Sequence, residues 1–461
     1  VKTYKAFKDA EHEIEERTLA IEATWTKISQ QLDFLRSVWE SLGEDYQELQ
    51  ERIIHILERK LKEAVLQISK LEKHATRDNM GKRKAGKYVL GMKDSLEKAT
   101  QDLQAWQKEF DTTWFLVLRV ANSTIDAALV KRPGTERLSV ARNVRDVLQK
   151  EPRRKTSIFL PEDELNSGSC SDIPYSTAKV IEIAGSGKFI LDSADCSSRE
   201  HDSAFAKHVR NLAVRLQQVD ANVFNLLRCK GVVCTTDPST KQIPSYNFIF
   251  KMPTGCYQPR SLRSHLLSQE MYPLGDKIDL AKQLARAINY IHVLEVVHKN
   301  IRPETVLLFQ DNERTSKLGP AFLLGFKAFR MADGKTLRLG SSTWEEDVYR
   351  HPDRQGRNPK EEYIMQHDIY SLGVCLLEVG LWESFVDSES HTHFSIENGM
   401  LKDQFIILAK EKLPSRMGER YVQVVVNCLS CLDQTNEDFC NQSEFKDDDG
   451  ILIGVKYIEK V

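Results

Sequence analysis

The chain has 461 residues, 29% of them charged and 41% hydrophobic, a composition that suits a soluble globular protein of two or three domains rather than one core. A formal net charge of −2 gives no whole-chain attraction to nucleic acid, so no nucleic-acid partner is expected. No run reaches the ~18 apolar residues of a membrane-spanning helix. The nine cysteines begin at Cys170 and are odd in number and irregular in spacing, which argues against a disulfide framework and for a reducing, cytoplasmic setting. Cys428 and Cys431 form a single C-x-x-C with no second pair, read here as two buried structural cysteines, and no metal site is expected.

Residues 1–130 contain no proline and read as consecutive amphipathic helices. The first carries Leu19, Ile21, Trp25, Ile28, Leu32, Leu35 and Trp39 and ends near Gly43. The second carries Ile53, Leu57, Leu61, Ala64, Val65, Ile68 and Leu71. A third begins near Tyr88 and carries Leu96, Leu103, Trp106 and Phe110, with the run from Trp114 continuing into the core. Long helices with short joints predict a bundle, and the helical spacing assigns its tryptophans to the core. Between helices, Lys82, Arg83, Lys84 and Lys87 lie among glycines. They are read as a solvated loop first and as an anionic-lipid contact second. Residues 131–175 hold a short, brace-like amphipathic helix with Leu138, Val144, Val147 and Leu148, followed by an exposed linker.

After Pro174 the pattern changes. Strands are predicted at Lys179–Ile183 and Lys188–Leu191 around Gly185 and Gly187, then a helix over roughly 199–218 and strands near 231–233 and 246–250. Helices dominate from about 260. The predicted boundaries are a β-rich lobe at 176–258 and a helical lobe at 259–461, an α+β arrangement.

His298-Lys299-Asn300-Ile301-Arg302-Pro303-Glu304-Thr305 follows an apolar helix and precedes an apolar strand. It resembles the kinase catalytic loop H-R-D-L-x-x-x-N in its proper setting. In a working kinase the Asp accepts the substrate hydroxyl proton and the last Asn holds a metal ion. Those positions are Asn300 and Thr305 here, with Lys299 at the Arg position and His298 retained. In Leu324-Gly325-Phe326-Lys327, Phe326 matches the Phe of D-F-G, and Gly325 replaces the metal-binding Asp. Asp368-Ile369-Tyr370-Ser371-Leu372-Gly373 matches the D-x-[WY]-S-x-G opening of a buried helix, whose Asp is expected to bond the catalytic-loop backbone. Gly185 and Gly187 do not make a phosphate-binding glycine loop, and no anchoring lysine ends the strand from Lys188. The expectation is a protein with no catalytic residues and no cofactor. Weak, metal-independent nucleotide binding near Met252-Pro253-Thr254-Gly255 stays open.

The whole pattern resembles fungal proteins in which a HeLo-type, prion-inhibition-and-propagation helical domain is joined to a kinase-like domain. Its architecture resembles the mixed-lineage-kinase-domain-like pseudokinases of necroptosis. The likeness rests on His298 to Glu304, Tyr349 to Gln355, Asp368 to Trp382 and Lys2 to Glu16. The fold it implies is multidomain, an all-α helical bundle followed by an α+β bilobal kinase-like fold. The role it implies is that of a signalling and cell-death effector. The bundle would act by self-association and membrane association, and the kinase-like domain would sense or restrain it, with an upstream protein activator. Localisation would be cytoplasmic, with recruitment to membrane on activation. The resemblance also implies an apolar N-terminal helix, which Val1-Lys2-Thr3-Tyr4 does not open. Two rivals stay open: an atypical active Ser/Thr kinase with Asp311 or Glu304 as base, and a non-catalytic interaction scaffold.

Overall fold

The computed structural model describes residues 2–42, 44–72, 93–114, 157–166, 168–183, 185, 187–195, 202–235, 245–268, 270–311, 317–331, 343–356, 359–386 and 400–436. The basic cluster Lys82, Arg83, Lys84 and Lys87 and the brace-like segment 135–150 lie outside these residues. The chain divides into two compact units, Val1–Arg145 and Asp146–Val461.

The N-terminal unit is helical. Helix α1 spans Lys2–Val38 and closes in a single tight turn at Trp39–Ser41, α2 spans Glu44–Glu72, and α3 spans Lys93–Trp114. Helix α3 packs along both α1 and α2. The buried stripe of α1 runs through Ile21, Ile28, Leu35 and Val38, and those of α2 and α3 through Ile53, Leu57, Ala64, Leu96, Leu103 and Phe110. Lys60 reaches Asp102 at 3.0 Å and Arg17 reaches Glu97 at 3.0 Å; such part-exposed pairs align helices but add ~1 kcal/mol at most. One expectation is corrected. Trp25 is 44% exposed, and Leu19 and Val65 are exposed as well. Thr24 and Gln31 are buried instead. At about 100° per residue they swing the buried stripe so that Trp25 falls at its edge and Leu19 on the opposite face. Trp39 and Trp106 are half-buried.

The second unit begins with a six-stranded sheet. Its strands are β1 (Phe159–Leu160), β2 (Gly168–Asp172), β3 (Lys179–Ile183), β4 (Gly187–Asp195), β5 (Cys229–Thr235) and β6 (Ser245–Lys251), in the order β1-β5-β6-β4-β3-β2. Only β1 runs parallel to its neighbour. Strand β2 lies in the segment read from sequence as exposed linker; Gly168, Ser169 and Ser171 hide its strand character. Helix α4 (Asp202–Gln217) covers the sheet with Val209, Leu212, Ala213 and Leu216, all fully buried.

Strand β7 (Cys256–Ser261) leads into the helical half: α5 (Leu262–Leu267), α6 (Leu274–Val293), α7 (Met365–Leu381), α8 (Met400–Met417) and α9 (Glu419–Leu429). Strand β8 (Val296–Val297) pairs with β11 (Arg330–Met331), and β9 (Val306–Asp311) lies between β7 and β10 (Ala321–Leu323). Every residue of α7 is buried, the mark of a helix surrounded on all sides. Gly373 on α7 lets α9 approach, since a Cβ there would meet Cys428 at 2.7 Å. Cys375, Cys428 and Cys431 are buried free thiols.

Candidate functional site

The site forms where β9, β10 and the turn after α6 converge on α7. Asp368, wholly buried near the start of α7, gathers four donors. Its carboxylate accepts the backbone N–H of His298 at 2.8 Å and of Lys299 at 2.9 Å. It also bonds His292 Nε2 at 3.1 Å and the Tyr363 hydroxyl at 3.0 Å. Burial alone would raise this carboxyl, but the His292 bond and the His298 amide outweigh it and hold its pKa below the ordinary value. The clamp tolerates a left-handed backbone at Lys299, where φ is 66°. Burial, helped by Arg330, pushes the Lys299 ammonium down to about 7.

The loop held this way turns its polar groups on itself. Thr305 Oγ1 shares its one proton between the carbonyls of Asn300 and Arg302, both at 2.9 Å, and accepts from Arg302 N at 3.2 Å. Asn300 Nδ2 donates to the Gly325 carbonyl at 3.0 Å. His298 is fully buried, accepts from Asn300 N at 3.3 Å, and lies with its ring 5.0 Å from Phe326. Burial lowers its pKa to about 4, so it is neutral near pH 7. Phe326 itself fills an aromatic nest with Phe248, Phe250 and Phe329.

Gly325 has φ +85°, and a Cβ there would lie 2.2 Å from Thr305 Cγ2 and 2.6 Å from its Cβ. Only glycine meets both conditions. Its amide and that of Phe326 donate to Asp192 Oδ2 at 2.9 and 3.0 Å. Asp192 is buried on β4, and its Oδ1 has no partner among the described residues. Burial raises its pKa to about 6, against the pull of the Phe326 and Gly325 amides.

The comparisons with known proteins bear on this arrangement. No family model matches the chain. It is similar to a Raf homolog serine/threonine-protein kinase of Caenorhabditis elegans, 28% identical over 152 residues, which are 31% of this chain and 18% of the relative. It is also similar to the serine/threonine-protein kinase A-Raf of Sus scrofa, 23% identical over 280 residues, 57% of this chain and 42% of the relative. The chain thus spans less than half the length of these curated relatives. It carries a protein-kinase-like domain.

In such a domain the lysine that anchors the phosphates stands on the third strand of the sheet. Strand β4 is the third of the β2-β3-β4 meander, and it presents Asp192 to the Gly325-Phe326 backbone. Sequence reasoning found no lysine there, and it also missed that an acid holds the position. Mg²⁺ and a nucleoside triphosphate, the groups this fold family implies, do not fit these residues. Gly325 offers no ligand, Thr305 is spent on the loop, and a buried acid faces where phosphates would lie. Gly185 and Gly187 sit in the β3–β4 turn at φ +73° and +93°.

A second cluster has no counterpart in the sequence reading. Arg263 on α5, 1% exposed, donates to Glu378 Oε1 at 2.9 Å and Glu304 Oε1 at 3.1 Å, and bonds the Tyr349 hydroxyl. Its members are separated by up to 115 residues, so no local pattern could have disclosed it. It ties α5, α7, the catalytic-loop segment and the segment before His351 together.

The Asp192 geometry gives a direct prediction. Asp192→Asn keeps an oxygen for the two amides and removes a buried charge, so stability at pH 7.5 should be unchanged or higher. Asp192→Lys orphans both amides and buries an unpaired cation, a loss on the order of 3 kcal/mol. Urea unfolding of the two variants checks this; equal stabilities would contradict the assigned bonds.

Proposed function

We propose that the kinase-like domain is catalytically silent and serves as a sensor or restraint for the helical N-terminal region. In this reading the protein is a signalling effector of the cell-death type. The helical region acts by self-association and by contact with anionic membrane lipid, in answer to an upstream protein activator. The observation that carries the silent reading is the Asp192–Gly325–Phe326 bond set. It turns the phosphate-anchoring and metal-binding positions into an internal hydrogen-bonded brace. Asn300 is neutral and donates to Gly325, so it accepts no substrate proton. Losing base and metal ligands together removes several kcal/mol of transition-state stabilisation, on the order of a thousandfold in rate or more.

The rival of an atypical active kinase gains little from the geometry. Glu304 is held by Arg263 at 3.1 Å. Asp311 stands at the far end of β9, opposite Cys256, with the length of that strand between it and Thr305. The deciding measurement is phosphoryl transfer by the purified full chain with Mg-ATP, to itself and to generic protein substrates. No turnover above a heat-inactivated control is expected. Turnover that is lost on Asn300→Ala would refute the silent reading. The effector half is tested separately by flotation with vesicles of anionic and of neutral lipid. Absence of binding to both would favour the scaffold rival.

A further inference from the structure

The turn joining β2 to β3 occupies the position that kinases give to their glycine-rich, phosphate-covering loop. Here the connection is Ile173-Pro174-Tyr175-Ser176-Thr177-Ala178, without a glycine. Its two ends are buried, Ile173 at 3% and Ala178 at 2% exposure. The Pro174 carbonyl accepts from Ser261 Oγ at 2.8 Å and from Ser264 Oγ at 3.0 Å. Ser261 is also the N-cap of α5, so this contact is made to the first turn of the helical half. Two residues on, Ser176 Oγ donates to the Glu304 carbonyl at 2.9 Å and accepts from Ala178 N at 3.2 Å. Glu304 immediately precedes Thr305 in the catalytic-loop segment. A tight turn from Ile173 O to Ser176 N, 3.1 Å, and a left-handed Tyr175 at φ 53° aim both contacts inward while the Tyr175 side chain stays 60% exposed.

We infer that residues 173–178 are a built-in strap that closes the cleft in place of a nucleotide. The inference rests on the silent reading of the site but goes further, because silence alone leaves the cleft free to bind nucleotide without metal. A hydroxyl on the Glu304 carbonyl and a carbonyl on two serine hydroxyls satisfy internally the polar groups that this turn faces. With them satisfied internally, a nucleotide must first break three hydrogen bonds and expose Ile173 and Ala178. The sheet half and the helical half are then linked without a nucleotide, and nucleotide is not the signal that opens them.

The test is amide hydrogen exchange of the segment around 172–180 in the full chain. Parent protein should exchange slowly there, with no change on adding millimolar ATP, with Mg²⁺ or with chelator. Ser176→Ala combined with Ser264→Ala should speed exchange across the segment by about tenfold or more, while α7 stays as protected as in the parent. Ser176→Thr, which keeps the hydroxyl, should behave as the parent. Protection of the parent segment by nucleotide would overturn the strap, and so would a double variant with parental exchange. Nucleotide binding without turnover would sink the strap and leave the silent reading standing, whereas turnover in the separate assay removes the silent reading itself.

Discussion

Gly325→Asp, the single change that restores the metal-binding residue of D-F-G, should cripple the fold rather than revive a kinase. Two costs add. A non-glycine residue at φ +85° carries a backbone penalty of ~1–2 kcal/mol. Its Cβ would then sit 2.2 Å from Thr305 Cγ2, and overpacking at a fully packed point costs roughly another 1–3 kcal/mol. The new carboxylate would also enter beside the buried Asp192 carboxyl, whose Oδ2 already holds the amide of residue 325. A total on the order of 4 kcal/mol is a large part of the 5–15 kcal/mol that holds a domain together. Urea unfolding or thermal melting checks it. Gly325→Asp with parental stability would mean that the Thr305 contact is misplaced. Combining it with Thr305→Ser, which removes the Cγ2 methyl but keeps the hydroxyl bonds, should recover part of the loss. That recovery separates the steric share from the backbone share.

What the sequence disclosed about this site was whatever a local pattern can carry. The segment from His298 to Thr305 lies between an apolar helix and an apolar strand, and the opening of α7 at Asp368 has its own spacing. Both could be read without knowing any long-range contact. Asn300, Thr305 and Gly325, at the base and metal-ligand positions of those patterns, were legible too. Asp192 was not. A missing lysine leaves a blank, and nothing local says that an acid in its place bonds the Gly325 and Phe326 amides 133 and 134 residues away. The strap was hidden for a similar reason. Gly185 and Gly187 stand out in the sequence because kinases use glycine above the phosphates. The residues that reach over the cleft are Pro174, at the end of the stretch whose polar composition reads as linker, and Ser176, at the first position of the predicted β-rich lobe. In the helical region the 3.6-residue period located the helices but misjudged one face, because Thr24 and Gln31 are buried and periodicity counts them as polar.

Asp368, legible in the sequence, and Asp192 and Arg263, which were not, share one consequence. Asp192 braces the segment at Phe326, Asp368 braces the segment at His298, and Arg263 braces Glu304, Tyr349 and α7. Each brace is a buried ionisable group whose bonds cross between elements remote in sequence. A working kinase must let its cleft open and close around nucleotide. Here the corresponding segments are hydrogen-bonded to the frame, which suits a domain that holds one conformation until something outside the cleft displaces it. Changes in this domain are therefore expected to respond to protonation of the braces and their neighbours more than to nucleotide.

Mild acid should destabilise the kinase-like domain steeply, beginning near pH 6.5. Burial lowers His265, His298 and His351 to about 4 and His367 to about 3. The unfolded chain takes up these protons near pH 6.5 and the folded domain does not, so the histidines' contribution is fully present above that pH and is lost as pH falls toward 4. Asp192 acts in the opposite sense. Its folded value of about 6 exceeds the ordinary 3.8, so the folded state binds its proton first and is relatively favoured as pH drops through 6. Glu378, also raised by burial, acts in the same sense as Asp192; near pH 5 the four histidines outweigh both carboxyls, leaving a difference of roughly 2 protons and a slope of about 2–3 kcal/mol per pH unit. The His351 and His367 rings lie 5.6 Å apart, so a first proton on that pair opposes the second. Lys299 extends the trend upward: its folded value of about 7 lies below the ordinary 10.5, so stability keeps rising as pH climbs through 7 toward that value. Amide exchange of α7, which reports opening of this unit, should therefore accelerate by about two orders of magnitude between pH 6 and pH 5 after correction for intrinsic exchange. Lys299→Met should remove the rise above pH 7 and leave the acid limb intact. A corrected opening free energy that is flat from pH 7 to pH 5 would contradict the neutral, buried state assigned to these histidines.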